Sequence, residues 1–199
     1  MLDRVPHVLA GRHVRVERLD EGHADGLLAI GADAEIWRHL SRPPIRTRDD
    51  ALAYIVSAQA PLYGEGPQQA FAVIDLASGD VAGTTRYLDM RSDHRGLEIG
   101  WTWYGLRFQR TAVNTECKHL LLTHAFEVMR CIRVYFKTDH LNERSQRAIE
   151  RLGAHRDGVL RNHRIRRDGT YRHSVYYTIL EDEWPEVRQR LQARLDGAD

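Results

Sequence analysis

Leu97–Glu127 reads LEIGWTWYGLRFQRTAVNTECKHLLLTHAFE, and the rest of the chain is organised around it. Its first nine residues alternate: Leu97, Ile99, Trp101 and Trp103 stand against Glu98, Gly100 and Thr102. A period of two is the mark of a strand whose two faces differ. Further on, Val113, Cys117, Leu120, Leu121, Ala125 and Val128 recur at steps of three and four, which predicts a helix with one apolar stripe. A polar loop, Arg107 to Asn114, joins the two. The first turn of a helix carries unpaired N–H groups and a partial positive charge. A strand feeding such a helix therefore predicts an anion site.

On either side of this unit the punctuation is clear. Gly11–Leu19 alternates and reads as a first strand, followed by an N-cap at Asp20 and a helix over Gly22–Ala32. Ala34–Arg42 stops at Pro43-Pro44, because proline removes a donor and restricts the residue before it. Thr47-Arg48-Asp49-Asp50 resembles a capping box with a shortened acid, opening a helix that turns Ala51, Tyr54, Ile55 and Ala58 inward and ends before Pro61. Gly64–Pro67 reads as a loop. Gln69–Leu76 and Val81–Leu88 are strands around the turn Ser78-Gly79-Asp80. After the organising stretch come a strand (Ile132–Asp139), a helix capped by Asn142 and closed by Gly153, and two strands around Arg167-Asp168-Gly169. A last helix, Glu183–Leu195, has Pro185 in its first turn, and Asp196–Asp199 is a frayed tail. The order predicts an α/β (α+β) fold with a mixed, mostly antiparallel sheet and helices on both faces.

The totals bound the function. The chain has 199 residues, one domain's worth, with its core over 11–184. Lys+Arg is 29 against Asp+Glu 28, so no global field recruits nucleic acid or a membrane. The local basic run Arg161, Arg164, Arg166, Arg167 reads as a solvated hairpin face or a contact to one acidic ligand. Cys117 and Cys131 read as small buried hydrophobes. With no signal peptide or membrane span visible, a cytoplasmic protein with reduced thiols is expected. The 11 histidines form no H-E-x-x-H pair or His/Cys cluster, so no metal is expected.

Three features in order, spanning Gly11 to about Trp184, resemble the GNAT superfamily of N-acetyltransferases, and within it the RimJ/RimL-type branch that acetylates ribosomal-protein N-termini. They are Glu98-Ile99-Gly100-Trp101, the loop and helix Gln109–Ala125, and Asn142-x-x-Ser145 followed by Ile149-Glu150-Arg151-Leu152-Gly153-Ala154. The resemblance implies a splayed parallel pair at the centre of the sheet, acetyl-CoA as co-substrate and an amine acceptor. It implies a pyrophosphate loop at Gln109, Arg110, Thr111, Ala112, Val113, Asn114 and Thr115. Ala112 and Asn114 stand where that family usually has glycines; asparagine tolerates left-handed geometry better than most residues.

The resemblance also implies roles. Asn142 would hydrogen-bond the pantetheine arm, compatibly with a capping role, and a backbone N–H near Trp103 or Tyr104 would serve the thioester oxygen. Glu98 is the candidate base, directly or through water; the competing readings are a glutamate on the solvated face or a structural pair with an arginine. Ile149 stands where a general-acid tyrosine is common, so Ser145 is the candidate acid, or else a helix-terminal hydrogen bonder. Trp37, His39, Arg42, Trp101 and Tyr171 are candidates for the acceptor pocket, with core packing the alternative for each tryptophan. A different class of function also fits, a non-catalytic acyl-CoA sensor or scaffold. Open strand edges leave a homodimer as an expectation.

Overall fold

The computed structural model describes residues 1–40, 42–60, 66–166 and 168–197. Pro61, Gly64, Arg167 and the last two residues of the tail, which the sequence assigns to loops, a turn and a frayed end, lie outside the described residues. The strands are β1 (Val8–Ala10), β2 (Val14–Arg18), β3 (Gln69–Asp75), β4 (Val81–Arg91), β5 (Gly96–Tyr104), β6 (Arg133–Asp139), β7 (His155–Ile165) and β8 (Tyr171–Leu180). The helices are α1 (Ala24–Ile30), α2 (Ala34–Trp37), α3 (Arg48–Gln59), α4 (Ala112–Thr123), α5 (Glu143–Leu152) and α6 (Trp184–Leu195). One eight-stranded sheet runs β1-β2-β3-β4-β5-β6-β8-β7. Every neighbouring pair is antiparallel except β5 and β6, which are parallel. Helices α1–α3 cover one face and α4–α6 the other, each over its own apolar cluster.

The expected caps are in place. Thr47 and Asp50 form the reciprocal box, and Asp20 accepts from Gly22 N–H. Gly153 closes α5 at φ +97°. Ala51, Tyr54, Ile55 and Ala58 are the buried stripe of α3.

Three expectations are corrected. The predicted first strand over Gly11–Leu19 is shorter, β2 at Val14–Arg18, and its first residues are a turn at Gly11–His13 that joins it to β1, a strand outside the predicted range. Glu116 of α4 makes that turn: its carboxylate accepts from the N–H groups of Arg12 (2.8 Å), His13 (2.6 Å) and Val14 (2.7 Å). Gly11 lies so close that a Cβ there would sit 2.4 Å from the Glu116 carboxyl carbon. The apolar stripe of α4 does not end on Val128, which is 45% exposed. A π-helical turn over His124–Val128 adds a residue to the spiral and brings Met129 inward instead.

The third correction concerns the organising strand. Its alternation does not keep Leu97, Ile99, Trp101 and Trp103 on one face. The β4–β5 register shifts between Thr84 and Arg86, so Trp101 and Thr102 together oppose Thr85. Trp101 takes φ +49° to do so. Beyond this bulge the faces exchange. Leu97 and Ile99 pack under α4, while Trp103 packs with Trp37 and Tyr54 under α3.

Candidate active site

The parallel pairing of β5 and β6 covers only Gly96–Glu98 against Arg133–Tyr135. Past Glu98, β5 follows β4 and β6 follows β8, so the sheet divides. A cleft of about 740 Å³ fills the gap, walled by Ile99–Tyr104 on one side and Phe136–Asp139 on the other. The opening lies where each strand keeps its outer neighbour and neither pairs with the other, β5 carrying a bulge against β4 and β6 remaining paired with β8.

The N-terminus of α4 enters the cleft from one end. Arg110, Thr111, Asn114 and Thr115 line it, along with Gln109. Thr111 caps the helix: its hydroxyl accepts from Val113 N–H (3.3 Å) and donates to the Phe108 carbonyl (2.8 Å). Gln109 is held by the Tyr104 carbonyl (3.0 Å) and by Arg144 of α5 (3.0 Å). The left-handed residue of this loop is Arg110, at φ +61°. Asn114, expected to carry that geometry, lies inside the first turn of α4 with ordinary helical φ and needs no glycine. Ala112 and Val113 face a separate hollow of about 360 Å³ beside Arg107 and Asp75, with Val113 packed into the core.

The second helix at the cleft is α5. Asn142 caps it, accepting from Ser145 N–H at 3.1 Å, and both residues line the cavity. Arg144, Arg147 and Arg151 bring positive charge to the same end as α4. Helix-terminal N–H groups, a capped loop and several guanidiniums suit a polyphosphate chemically.

Glu98 sits where the strands part. It is 2% exposed, and its carboxylate meets Lys137 Nζ at 2.8 Å. The ion-pair alternative is therefore realised, with lysine rather than arginine, while Glu98 still lines the cavity. Asp139, two residues on from Lys137, accepts from Arg166 through both oxygens (2.8 Å each) and from Leu141 N–H. Burial pushes this carboxyl up, but Arg166 and the Leu141 N–H outweigh burial and hold it down at about 2.

The five acceptor-pocket candidates separate. His39 and Trp101 line the cleft; burial lowers the His39 imidazole from its ordinary value. Trp103 lines it too, donating to Tyr54 Oη at 2.9 Å. Trp37 does not: it is 3% exposed, packs against Trp103 with ring centroids 4.8 Å apart and planes tilted by 49°, and donates to the Gly31 carbonyl. Arg42 is also outside the cavity lining, and Tyr171 points to solvent at the hairpin end of β8, 61% exposed. For Trp37 the core-packing alternative holds.

Sequence reading passes over Lys118. It lies four residues after Asn114, hence on the same helix face. Its Nζ is buried among the hydroxyls of Thr102 (2.7 Å) and Thr85 (3.3 Å), and it lines the cleft beneath the bulge. Burial lowers it to about 8.

An acetyltransferase (GNAT) domain model matches residues 13–155. The chain belongs to this family of GNAT acetyltransferases. A crystal structure of a "putative acetyltransferase" from T. thermophilus superposes with a TM-score of 0.86 at 42% identity, covering 96% of this chain and 98% of that one. A GCN5-related N-acetyltransferase from Brucella melitensis gives 0.87 at 29% identity, covering 96% and 86%. In sequence, "Putative ribosomal N-acetyltransferase YdaF" of Bacillus subtilis (strain 168) is 29% identical over 109 residues, 55% of this chain. That match spans 58% of the relative's own length. Among the described residues no His/Cys/Asp/Glu group could hold a metal ion, and no helix is long and apolar enough to cross a membrane.

Proposed function

We propose that this GNAT chain transfers the acetyl group of acetyl-CoA to a primary amine by direct attack in a ternary complex. What carries the reading is the division of the sheet past Glu98, with an anion-suited helix start at one end of the gap and a buried carboxylate at its root. Acetyl-CoA supplies the activated acyl group; the chain's residues orient it and manage charge and protons.

On this reading the N-terminus of α4, from Gln109 to Thr115, receives the pyrophosphate, and Asn142 receives the pantetheine arm. A bulge leaves its extra residue outside the ladder. A backbone N–H near Trp101–Trp103 is then available to the thioester oxygen as it gains negative charge, and the Lys118 ammonium lies under the same bulge to favour that charge. Glu98 takes the acceptor's proton through water, one of its oxygens being engaged by Lys137. Ser145, at the start of α5, returns a proton to the departing thiolate. A thiol with an ordinary pKa near 8.5 needs little help to leave.

Thiol release on an amine panel, alongside calorimetry with acetyl-CoA, tests the proposal. Absence of coenzyme A binding at millimolar concentration would overturn it. Binding without turnover on any amine would replace it with an acyl-CoA sensor. Glu98→Gln should lower kcat by about 10²–10⁴-fold, the usual contribution of a positioned acid or base; an unchanged pH profile of kcat removes Glu98 as the base.

A further inference from the structure

Two guanidiniums on the acceptor side lack the anions that a buried arginine requires. Arg86 of β4 is 1% exposed, and Nε and both Nη atoms are buried without a hydrogen-bond partner among the described residues. It is stacked between rings, 4.7 Å from Trp101 and 5.6 Å from Tyr54. Arginine stays charged in proteins, so burial cannot be relieved by losing a proton. A buried charge with no partner is among the costliest arrangements a fold can hold. Arg172 of β8 lines the cleft itself, makes no ion pair among the described residues, and has a buried Nε with no partner. Burial lowers its guanidinium from the ordinary value, while Asp139 acts the other way.

The two places lie on the two sides of the cleft, Arg86 behind the β5 side and Arg172 on the β6–β8 side. Arg86 is in register with Gly100, one residue before Trp101, and Trp101 closes the cleft over it. Glu98 lies next along the same face of β5. The carboxylates of the cavity wall are already engaged, Glu98 by Lys137 and Asp139 by Arg166. An incoming molecule therefore meets unmatched positive charge. In a site of low dielectric that charge is little screened. A polyamine has the wrong sign for such a wall. A molecule with an amine to be acetylated and an acid group beside it has the right one.

We propose that the acceptor carries a carboxylate next to its amine, received by Arg172 in the cleft, with Arg86 behind Trp101 holding the opposite side positive. The inference rests on the acetyl-transfer reading above for the fate of the amine, but carboxylate recognition can be read separately.

The test compares alanine, serine, glutamate and methionine with their α-carboxamides, plus spermidine, by thiol release with saturating acetyl-CoA. A charge-assisted pair should favour the acids by about 10–100-fold in kcat/KM. Arg172→Gln should remove that preference by slowing the acids alone, with the Kd of coenzyme A unchanged. Amides or spermidine used as well as the acids would overturn the inference, as would a loss in Arg172→Gln shared equally by acids and amides.

If coenzyme A binds but no amine is acetylated, acetyl transfer has failed, and calorimetry of the coenzyme A complex with N-acetylglutamate and its α-amide decides this inference. Binding of the acid that is lost in Arg172→Gln sustains it; no binding, or equal binding of the amide, ends it. Arg86→Met should raise KM for the acids without lowering the thermal midpoint. An unchanged KM removes Arg86 from the proposal. Should Arg86→Met fail to fold, Arg86→Lys takes its place: it keeps the charge and must keep the preference for acids.

Discussion

Glu116 and Lys118 stand two residues apart on α4, each 5% exposed, and the fold treats their charges in opposite ways. Glu116 faces β2. Its carboxylate is saturated by three backbone N–H groups of the Arg12–Val14 turn. Lys118 faces the divided half of the sheet, where its ammonium meets threonine hydroxyls and the Phe136 ring and, among the described residues, no anion. One helix therefore has a closed side, where buried charge is matched within the chain, and an open side, where it is not. Arg86 and Arg172 repeat the open-side pattern. A fold under selection for stability alone would not leave buried cations short of anions. The contrast separates what holds the molecule together from what awaits a ligand.

The strongest way to break this contrast is at Glu116. Glu116→Ala strands three backbone donors and frees the β1–β2 turn. It should cost about 3–5 kcal/mol, as charged, buried hydrogen-bond clusters do when one side is deleted. Urea unfolding at pH 7 measures it. A loss below about 1 kcal/mol would show that water replaces the carboxylate and that the closed side is not closed.

Lys118 should behave inversely. Its folded value of about 8 lies below the ordinary 10.5, so the unfolded chain binds more protons between those two pH values. Stability contributed by this position therefore rises with pH through that window, and the folded state bears the full cost of the charge below it. The difference corresponds to about 3 kcal/mol at most. Lys118→Met, which keeps the stem but loses the charge, should be as stable as the parent or more so at pH 7. That advantage should shrink by pH 10, while thiol release falls at both. A Met variant that is less stable at pH 7, with no pH trend, would mean that the hydroxyls satisfy the ammonium fully.

These two residues also show where sequence reading stops. Helix caps at Thr47 and Asn142, the glycine closing α5 and the turn at Ser78-Gly79-Asp80 were legible because each is set by a few consecutive residues. The family resemblance placed Glu98 and the α4 start at the cleft for the same reason: short motifs carry them. Glu116 and Lys118 look alike in a sequence, as polar residues flanking Cys117 on an otherwise amphipathic helix. Only the partners, more than 100 residues away for Glu116, decide that both are buried. The bulge at Trp101 was illegible too. It is a mismatch of register with β4, and no residue within LEIGWTWYG announces it. Its consequence, Trp101 and Trp103 crossing to the α3 face, is what puts Trp101 over Arg86.

The smallest expected effect separates capping from ligand binding at the one residue proposed for both. Asn142 uses Oδ1 to accept from Ser145 N–H, and this cap occupies only the oxygen of its amide. Asn142→Ala removes the whole amide and should cost about 1 kcal/mol of stability, as N-cap deletions do. Asn142→Asp keeps a capping oxygen of comparable strength and places negative charge at a helix N-terminus, where it is favourable. Its stability should match the parent's. It nevertheless lacks the Nδ2 donors, so affinity for coenzyme A should fall in both variants by a similar factor, about 5–10-fold for one neutral hydrogen bond. Calorimetry beside thermal unfolding reads the two quantities independently. If Asn142→Asp binds coenzyme A like the parent while Asn142→Ala does not, the residue serves the cleft only by holding α5 in place, and its amide has no ligand of its own.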